Sequence, residues 1–277
     1  MQKILPYLWF EYKADQVTQF YKDVFKDVEI IETILTIDDK DIMTQHIAIY
    51  GFEMVVLNGG PFQKFTPANS FFVYVRDEEI ASVWEKLSLD GKTLMDFGPY
   101  PFSKRYGWVE DKYGMSWQIG VGDDNQIIPF WMFTGENFKK ASQATRFYIK
   151  LFEDSGLESV FFDDEKLSVK HANFKLFNQA FMAIDSDEPH GFSFSSAVSY
   201  MVLCESQEEI DTYWSYLKTN GIEQHCGWLK DKFGITWQIV PWVLLRYLND
   251  PEMRKQVYEN MFRMTKIEIK GLLEGCI

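Results

Sequence analysis

The 277-residue chain is 46% hydrophobic and 17% aromatic, enough for a sizeable core and long enough for about two domains. Its 28 Lys and Arg stand against 41 Asp and Glu, a formal charge of -13, which repels phosphate backbones and anionic lipid, so neither nucleic acid nor a membrane is an expected partner. No run of about 18 apolar residues occurs and no cleavage site follows the opening residues, while Cys204, Cys226 and Cys276 form no CxxC pair, so a cytoplasmic protein with reduced thiols is expected.

The chain opens on a strand, ILPYLWF from Ile4, whose alternation sets Leu5, Tyr7 and Trp9 on one face against Pro6, Leu8 and Phe10 on the other. Val17, Phe20, Tyr21, Val24 and Phe25 then form one apolar stripe at helical period. Three strand-like segments follow, around Glu29 to Ile37, Ile42 to Tyr50 and Glu53 to Leu57, which completes a βαβββ module. Phe71 to Val75 begins a second module, with a helix marked by Ile80, Val83, Trp84 and Leu87 and a last strand from Ser116 to Val121.

The sequence then repeats itself. GWVEDKYGMSWQI from Gly107 returns as GWLKDKFGITWQI from Gly227, with eight of thirteen positions identical. ILPYLWF returns as IIPFWMF from Ile127, FYKDVF from Phe20 as FYIKLF from Phe147, FTPANSF from Phe65 as FSSAVSY from Phe194, and EEIASVWEKL from Glu78 as EEIDTYWSYL from Glu208, all in the same order. Duplication explains this, with domains expected at 1–122 and 126–241. The Asp123 to Asn125 junction is too short to separate them, which implies an intramolecular pseudo-dimer and leaves a homodimer open. The tail, 242–277, has no counterpart and reads as helices packed on the second domain. Asn249 or Asp250 would cap the first before Pro251, and Thr265 with Glu268 would form a capping box for a second, with Val257, Met261, Met264 and Ile267 buried.

Paired βαβββ modules, an FY-containing first helix, LNGGP at Leu57, the MFRMTKIEI tail at Met261 and the GWLKDKFGITWQI block together resemble the vicinal-oxygen-chelate (glyoxalase/bleomycin-resistance) superfamily, in its PhnB-like branch, the 3-demethylubiquinone-9 3-methyltransferase-domain family. The resemblance implies an α+β fold of tandem glyoxalase-like domains, each built of paired modules with curved mixed sheets, plus C-terminal helices. It also implies a cup lined by the first and last strands of the modules, where the superfamily's enzymes hold a divalent metal with His, Gln or Glu. At those places this sequence has Tyr7 and Trp9, Ser70 and Gln118 in one half, and Phe130 and Met132, Ser199 and Gln238 in the other, a set short of imidazoles and carboxylates. No metal and no cofactor are therefore expected.

His46 in TQHIAIY and His171 in VKHANF precede similar third-strand segments and complete the candidate ligand-binding set, while His190 and His225 sit in turn-like stretches with no role assigned. Alternation puts Trp117 and Trp237 opposite Gln118 and Gln238, which assigns those tryptophans to the core. There is no GxSxG elbow, and Gly59-Gly60 is a turn rather than a GxGxxG loop for S-adenosylmethionine, so neither nucleophilic catalysis nor methyl transfer is expected. The expected function is metal-free binding of a small, partly apolar ligand in a sheet-lined cup. The alternatives are a divergent enzyme of lyase, isomerase or dioxygenase type and a non-catalytic interaction module.

Overall fold

The computed structural model describes residues 2–163, 165 and 167–276. Met1 and Ile277, the outer bounds expected for the first domain and the tail, lie outside the described residues. The fold is α+β, with two eight-stranded mixed sheets among the described residues. No helix of these residues is long and apolar enough to cross a membrane.

The first repeat runs β1 (Ile4–Phe10), α1 (Ala14–Val24), β2 (Val28–Leu35), β3 (Ile42–Ile49), β4 (Phe52–Asn58), β5 (Asn69–Val75), α2 (Ile80–Ser88), β6 (Lys92–Tyr100), β7 (Ser103–Glu110) and β8 (Ser116–Val121). The second runs β9 (Gln126–Phe133), α3 (Ala141–Leu151), β10 (Gly156–Asp163), β11 (Ser168–Leu176), β12 (Gln179–Asp185), β13 (Val198–Cys204), α4 (Gln207–Leu217), β14 (Ile222–Glu223), β15 (Trp228–Lys230) and β16 (Thr236–Pro241). Both repeats thus carry the paired βαβββ modules expected of them, with the predicted strands displaced by a residue or two at their ends.

Neither sheet belongs to one repeat. Sheet A has the order β14-β15-β16-β13-β1-β4-β3-β2 and sheet B the order β10-β11-β12-β9-β5-β8-β7-β6, so each joins the first module of one repeat to the second module of the other. The joints are antiparallel: β1 lies on β13 with Tyr7 opposite Ser199, and β9 on β5 with Phe130 opposite Ser70. The pseudo-dimer is therefore held by continuous backbone ladders. At its centre Trp131 Nε1 donates to the Tyr200 hydroxyl at 2.6 Å, which reaches Asn69 Oδ1 of the other repeat at 3.4 Å.

One face of each sheet is covered by the module helices and forms the core. Val17, Tyr21 and Val24 of α1 and Ala144 and Tyr148 of α3 are buried there, as the helical stripes predict. Trp117 and Trp237 are fully buried on the same side. The Asp-Lys-aromatic-Gly turn of the repeated block fixes them. Asp231 Oδ1 accepts the N–H groups of Phe233 and Ile235 at 2.9 and 3.1 Å, while Oδ2 accepts Trp237 Nε1 at 2.8 Å and the Tyr148 hydroxyl at 2.5 Å. Asp111 repeats this with Tyr113, Met115, Trp117 and Tyr21. Gly114 and Gly234 close the two turns at φ +88 and +92, where a side chain would be strained.

The tail forms α5 (Trp242–Asn249), α6 (Pro251–Phe262) and α7 (Ile269–Leu272). Asp250 caps α6 by accepting the Glu252 N–H at 2.9 Å, with Pro251 at the first position, as predicted. The Thr265–Glu268 capping box does not form: α7 starts at Ile269 with Glu268 as its N-cap, and Gln207 Oε1 from α4 accepts the Ile269 N–H at 2.8 Å, a tertiary cap in place of a local one. Helix α5 continues directly from β16 and was not separately legible. Val257 and Ile267 are buried, and Met261 and Met264 half-buried.

Burial raises the Asp111 and Asp231 carboxyls to about 6, against the lowering pull of the four donors on each. A carboxyl whose folded pKa lies above its unfolded value near 4 stabilises the fold below that value and loses the contribution as pH rises through 6. Between pH 5 and 7 the unfolding free energy should therefore fall by on the order of 1 kcal/mol per carboxyl. Denaturant titrations of the D111N D231N double variant should show that slope flattened, together with a loss of about 2 kcal/mol per site at pH 7 from the misplaced amide N–H. An unaltered slope would refute the assignment.

Candidate functional site

The faces of the sheets opposite the core are concave, and alternation decides what they carry. On sheet A these are Tyr7 and Trp9 of β1, Ser199 and Met201 of β13, Gln238 of β16, Val55 of β4, His46 of β3 and Glu32 of β2, with Met201 opposite Gln238 and Glu32 opposite His46 in register. Sheet A and the tail enclose a cavity of about 400 Å³. Its roof is Leu244, Leu245 and Leu248 of α5 with Tyr258, Met261 and Phe262 of α6. The roof is pinned twice. The N–H groups of Cys226 and Gly227 donate to Met264 O and Thr265 O, both at 2.8 Å, and Arg254 binds Leu248 O at 2.7 Å and pairs with Asp39 of the β2–β3 turn.

The aromatic floor is held rigidly. Trp228 meets both Tyr7 and Trp9 edge to face at 6.0 Å, and Trp9 Nε1 donates to Gly60 O at 2.8 Å. The Trp9 indole lies over Gly59 so closely that a Cβ there would fall 2.1 Å from the ring. Burial, with the Tyr258 phenol adding to it, holds the Tyr7 hydroxyl well above its ordinary range.

The polar groups of the cavity are few. His46 Nε2 stands 2.9 Å from Glu53 Oε2, within ion-pair distance although off hydrogen-bond geometry, and burial lowers the imidazole pKa against the pull of Glu53, leaving it neutral at pH 7. Burial raises the Glu32 carboxyl, which has no hydrogen bond or ion pair among the described residues. Gln238 Nε2 donates to Ser199 Oγ at 2.9 Å, and the Ser199 hydroxyl turns toward Tyr7 O at 3.5 Å. Burial also raises the Cys226 thiol, so it is a poor nucleophile. Cys226 and His225 both line the cavity, which sequence reasoning had given no role.

Sheet B carries the same strands to a different end. Ser70, Gln118, Phe130 and Met132 lie on its concave face, but Phe130, Met132, Ile128 and Met182 are buried in a closed cluster against Phe72, Tyr74 and Trp108. Gln118 Nε2 donates to Ser70 Oγ at 2.9 Å, as in sheet A, while its Oε1 accepts the Tyr106 hydroxyl at 2.7 Å. Tyr106 packs with Tyr100 and Phe102 of the β6–β7 hairpin at 5.5 and 5.0 Å. The second repeat lacks that arm: Gly221 and Gly227 are six positions apart where their counterparts Gly91 and Gly107 are sixteen apart, and Cys226 stands in the place of Tyr106. The shortened β14–β15 hairpin leaves sheet A open for the tail to roof.

The structure groups the candidate residues across the repeats. Tyr7 and Trp9 come together with Ser199 and Gln238, and Phe130 and Met132 with Ser70 and Gln118, because β1 pairs with β13 and β9 with β5. His46 and His171 are not equivalent. His46 opposes Val55, which lies beside Tyr7, whereas the matching residue beside Phe130 is Met182, and it opposes Asn173. His171 lies two residues earlier and bonds Asn173 Oδ1 at 3.0 Å. Sequence reasoning missed Glu32 and the roof, and the one available signal was the shortened loop before Gly227.

The superfamily likeness implies a divalent metal in the cup. Among the described residues no three His, Cys, Asp or Glu come together as a metal-holding group, and Ser199 and Gln238 are bonded to each other. This donor set does not fit a divalent ion.

A sequence model of the family described as 3-demethylubiquinone-9 3-methyltransferase matches residues 2–120 and again 125–240. A Bacillus cereus protein titled a putative 3-demethylubiquinone-9 3-methyltransferase, PhnB protein, is 36% identical over 44% of this chain and all of its own, with a TM-score of 0.41. Glyoxalase I from Zea mays is 13% identical over 88% of this chain and 96% of its own, at a TM-score of 0.60. A putative dioxygenase from Bacillus subtilis is 11% identical over 85% of this chain and 83% of its own, at 0.51. The two long matches share the fold. A search of curated proteins finds no match.

The close approach of Trp9 to Gly59 is directly testable. Gly59→Ala should displace the indole, break its bond to Gly60 and cost about 2 kcal/mol, read as a shifted tryptophan emission and a lowered unfolding midpoint. Unchanged emission and stability would contradict this placement.

Proposed function

The chain belongs to the 3-demethylubiquinone-9 3-methyltransferase family, in two tandem copies, and from that premise we propose that it binds a small, partly apolar molecule in the roofed cup of sheet A. The observation that carries this reading is the cavity of about 400 Å³ between an aromatic floor and the tail helices. Such a volume with mostly apolar walls and a few fixed polar groups suits a single small ligand. Tyr7, Trp9 and Trp228 supply flat contact area, Met43, Met201 and Met261 adaptable surface, and His46, Glu32 and Gln238 the polar handles. A ligand burying on the order of 300 Å² of apolar area gains about 7 kcal/mol before the costs of immobilisation, so the polar handles must add to apolar burial for binding to reach the micromolar range. Methyl transfer in the sense of the family's description is not part of the proposal, since Gly59 and Gly60 serve as the seat of Trp9 rather than as a cofactor loop.

A second reading rests on one observation, the neutral His46 held beside Glu53 at the cavity wall. A neutral imidazole backed by a carboxylate can take a proton from a bound substrate, so an enzyme of this fold could use it as a general base. His46→Gln separates the readings: a binding protein loses only the part of its affinity that this handle supplies and has no turnover to lose, whereas an enzyme loses turnover far more than binding.

A thermal-shift screen of metabolites should find compounds that raise the unfolding midpoint, because a ligand specific to the folded state stabilises it. Met261→Trp, which fills the cavity from the roof, should abolish those shifts, and Phe102→Ala, on the arm of sheet B, should leave them intact. Shifts that survive Met261→Trp and vanish with Phe102→Ala would move the site to sheet B and defeat the proposal.

A further inference from the structure

Among the described residues no Lys or Arg lines the cavity, and two of the side chains that do, Glu32 and Gln238, keep oxygen acceptors without a donor. Glu32 brings a carboxylate with no hydrogen bond or ion pair among the described residues, on the edge strand β2 opposite His46 and on the cavity wall. Gln238, only 4% exposed, brings an amide oxygen. Its orientation follows from Ser199: that hydroxyl directs its proton to Tyr7 O, so its oxygen accepts from Gln238 Nε2, and Oε1 is left with no partner among the described residues. In sheet B the equivalent oxygen, that of Gln118, is satisfied by the Tyr106 hydroxyl. With Cys226 in the place of that tyrosine, the equivalent acceptor in the open cup has no such partner.

A half-buried carboxylate without a cation calls for a positive ligand group, and an amide oxygen facing the cavity can accept an N–H. An ammonium or amidinium group supplies the charge that Glu32 lacks, and Gln238, five strands across the sheet, can accept an N–H from another part of the ligand. The remaining walls favour the same class, since Tyr7, Trp9 and Trp228 present ring faces and edges that attract organic cations. The chain's net charge of -13 also concentrates cations at its surface. Among the described residues no positive side chain lines the cavity to meet an anion.

We propose that the roofed cup of sheet A selects amphipathic organic cations bearing N–H groups, with the charge at Glu32 and an acceptor in Gln238 Oε1. The inference rests on the reading that this cavity takes a ligand, and a matched series separates the two. Calorimetric titration of the full chain would compare 1-naphthylmethylamine, 1-naphthylmethanol and 1-naphthoate, which share one aromatic body and differ in charge. The amine should bind at least tenfold more tightly than the alcohol, and the carboxylate should be weakest. Glu32→Gln should bring the amine down to the affinity of the alcohol and leave the alcohol unchanged, while Glu29→Gln, on the exposed stretch of the same strand, should change neither. Equal binding of all three probes, a preference for the carboxylate, or an amine preference that survives Glu32→Gln would overturn the proposal while leaving the binding function standing. Failure of all three to bind would overturn both.

Discussion

A single carboxylate in each repeat organises what surrounds it. Asp111 and Asp231 each accept four hydrogen bonds, two from the backbone of their own turn, one from a tyrosine of the module helix and one from the indole immediately before the cup-facing glutamine. Once the indole of Trp117 or Trp237 is tied to the core in this way, strand alternation leaves no choice for its neighbour. Gln118 and Gln238 must face the concave side. The geometry of both cups therefore descends from a bond in the core, and the repeated block keeps Asp, Gly and Trp because the turn, the positive φ and the indole donor each need one of them.

From that shared frame the two cups diverge. The ladders that join β1 to β13 and β9 to β5 make each sheet a composite of both repeats, so each cup can change through either. Sheet B kept a long β6–β7 arm, whose aromatic residues satisfy Gln118 while Phe130 and Met132 pack into a closed cluster. Sheet A lacks the arm and carries a roof of tail helices, which covers the cup without filling it. Duplication supplied two equivalent faces, and one was spent on packing while the other remained a chamber.

The legible part of this was local. Helical stripes at Val17 to Phe25, alternation along Ile4 to Phe10 and the matching blocks of the duplication all depend on neighbours in sequence, and they placed the modules and told core tryptophans from cup glutamines. Which modules share a sheet depends on pairing between residues such as Tyr7 and Ser199, almost two hundred positions apart, and no local pattern carries that. His46 and His171 looked alike because the letters around them match, yet strand register sets them two residues apart. The Thr265–Glu268 box failed for a similar reason, since α7 starts at Ile269, whose N–H is held by Gln207 of another helix, rather than just after Thr265.

The central claim is that one chain offers one chamber, built from both repeats on sheet A. Native mass spectrometry of the full chain with a compound that raises its unfolding midpoint measures this directly. One bound molecule per chain at saturation is the predicted result. Two molecules bound with equal affinity would mean that sheet B opens as well and would contradict the account.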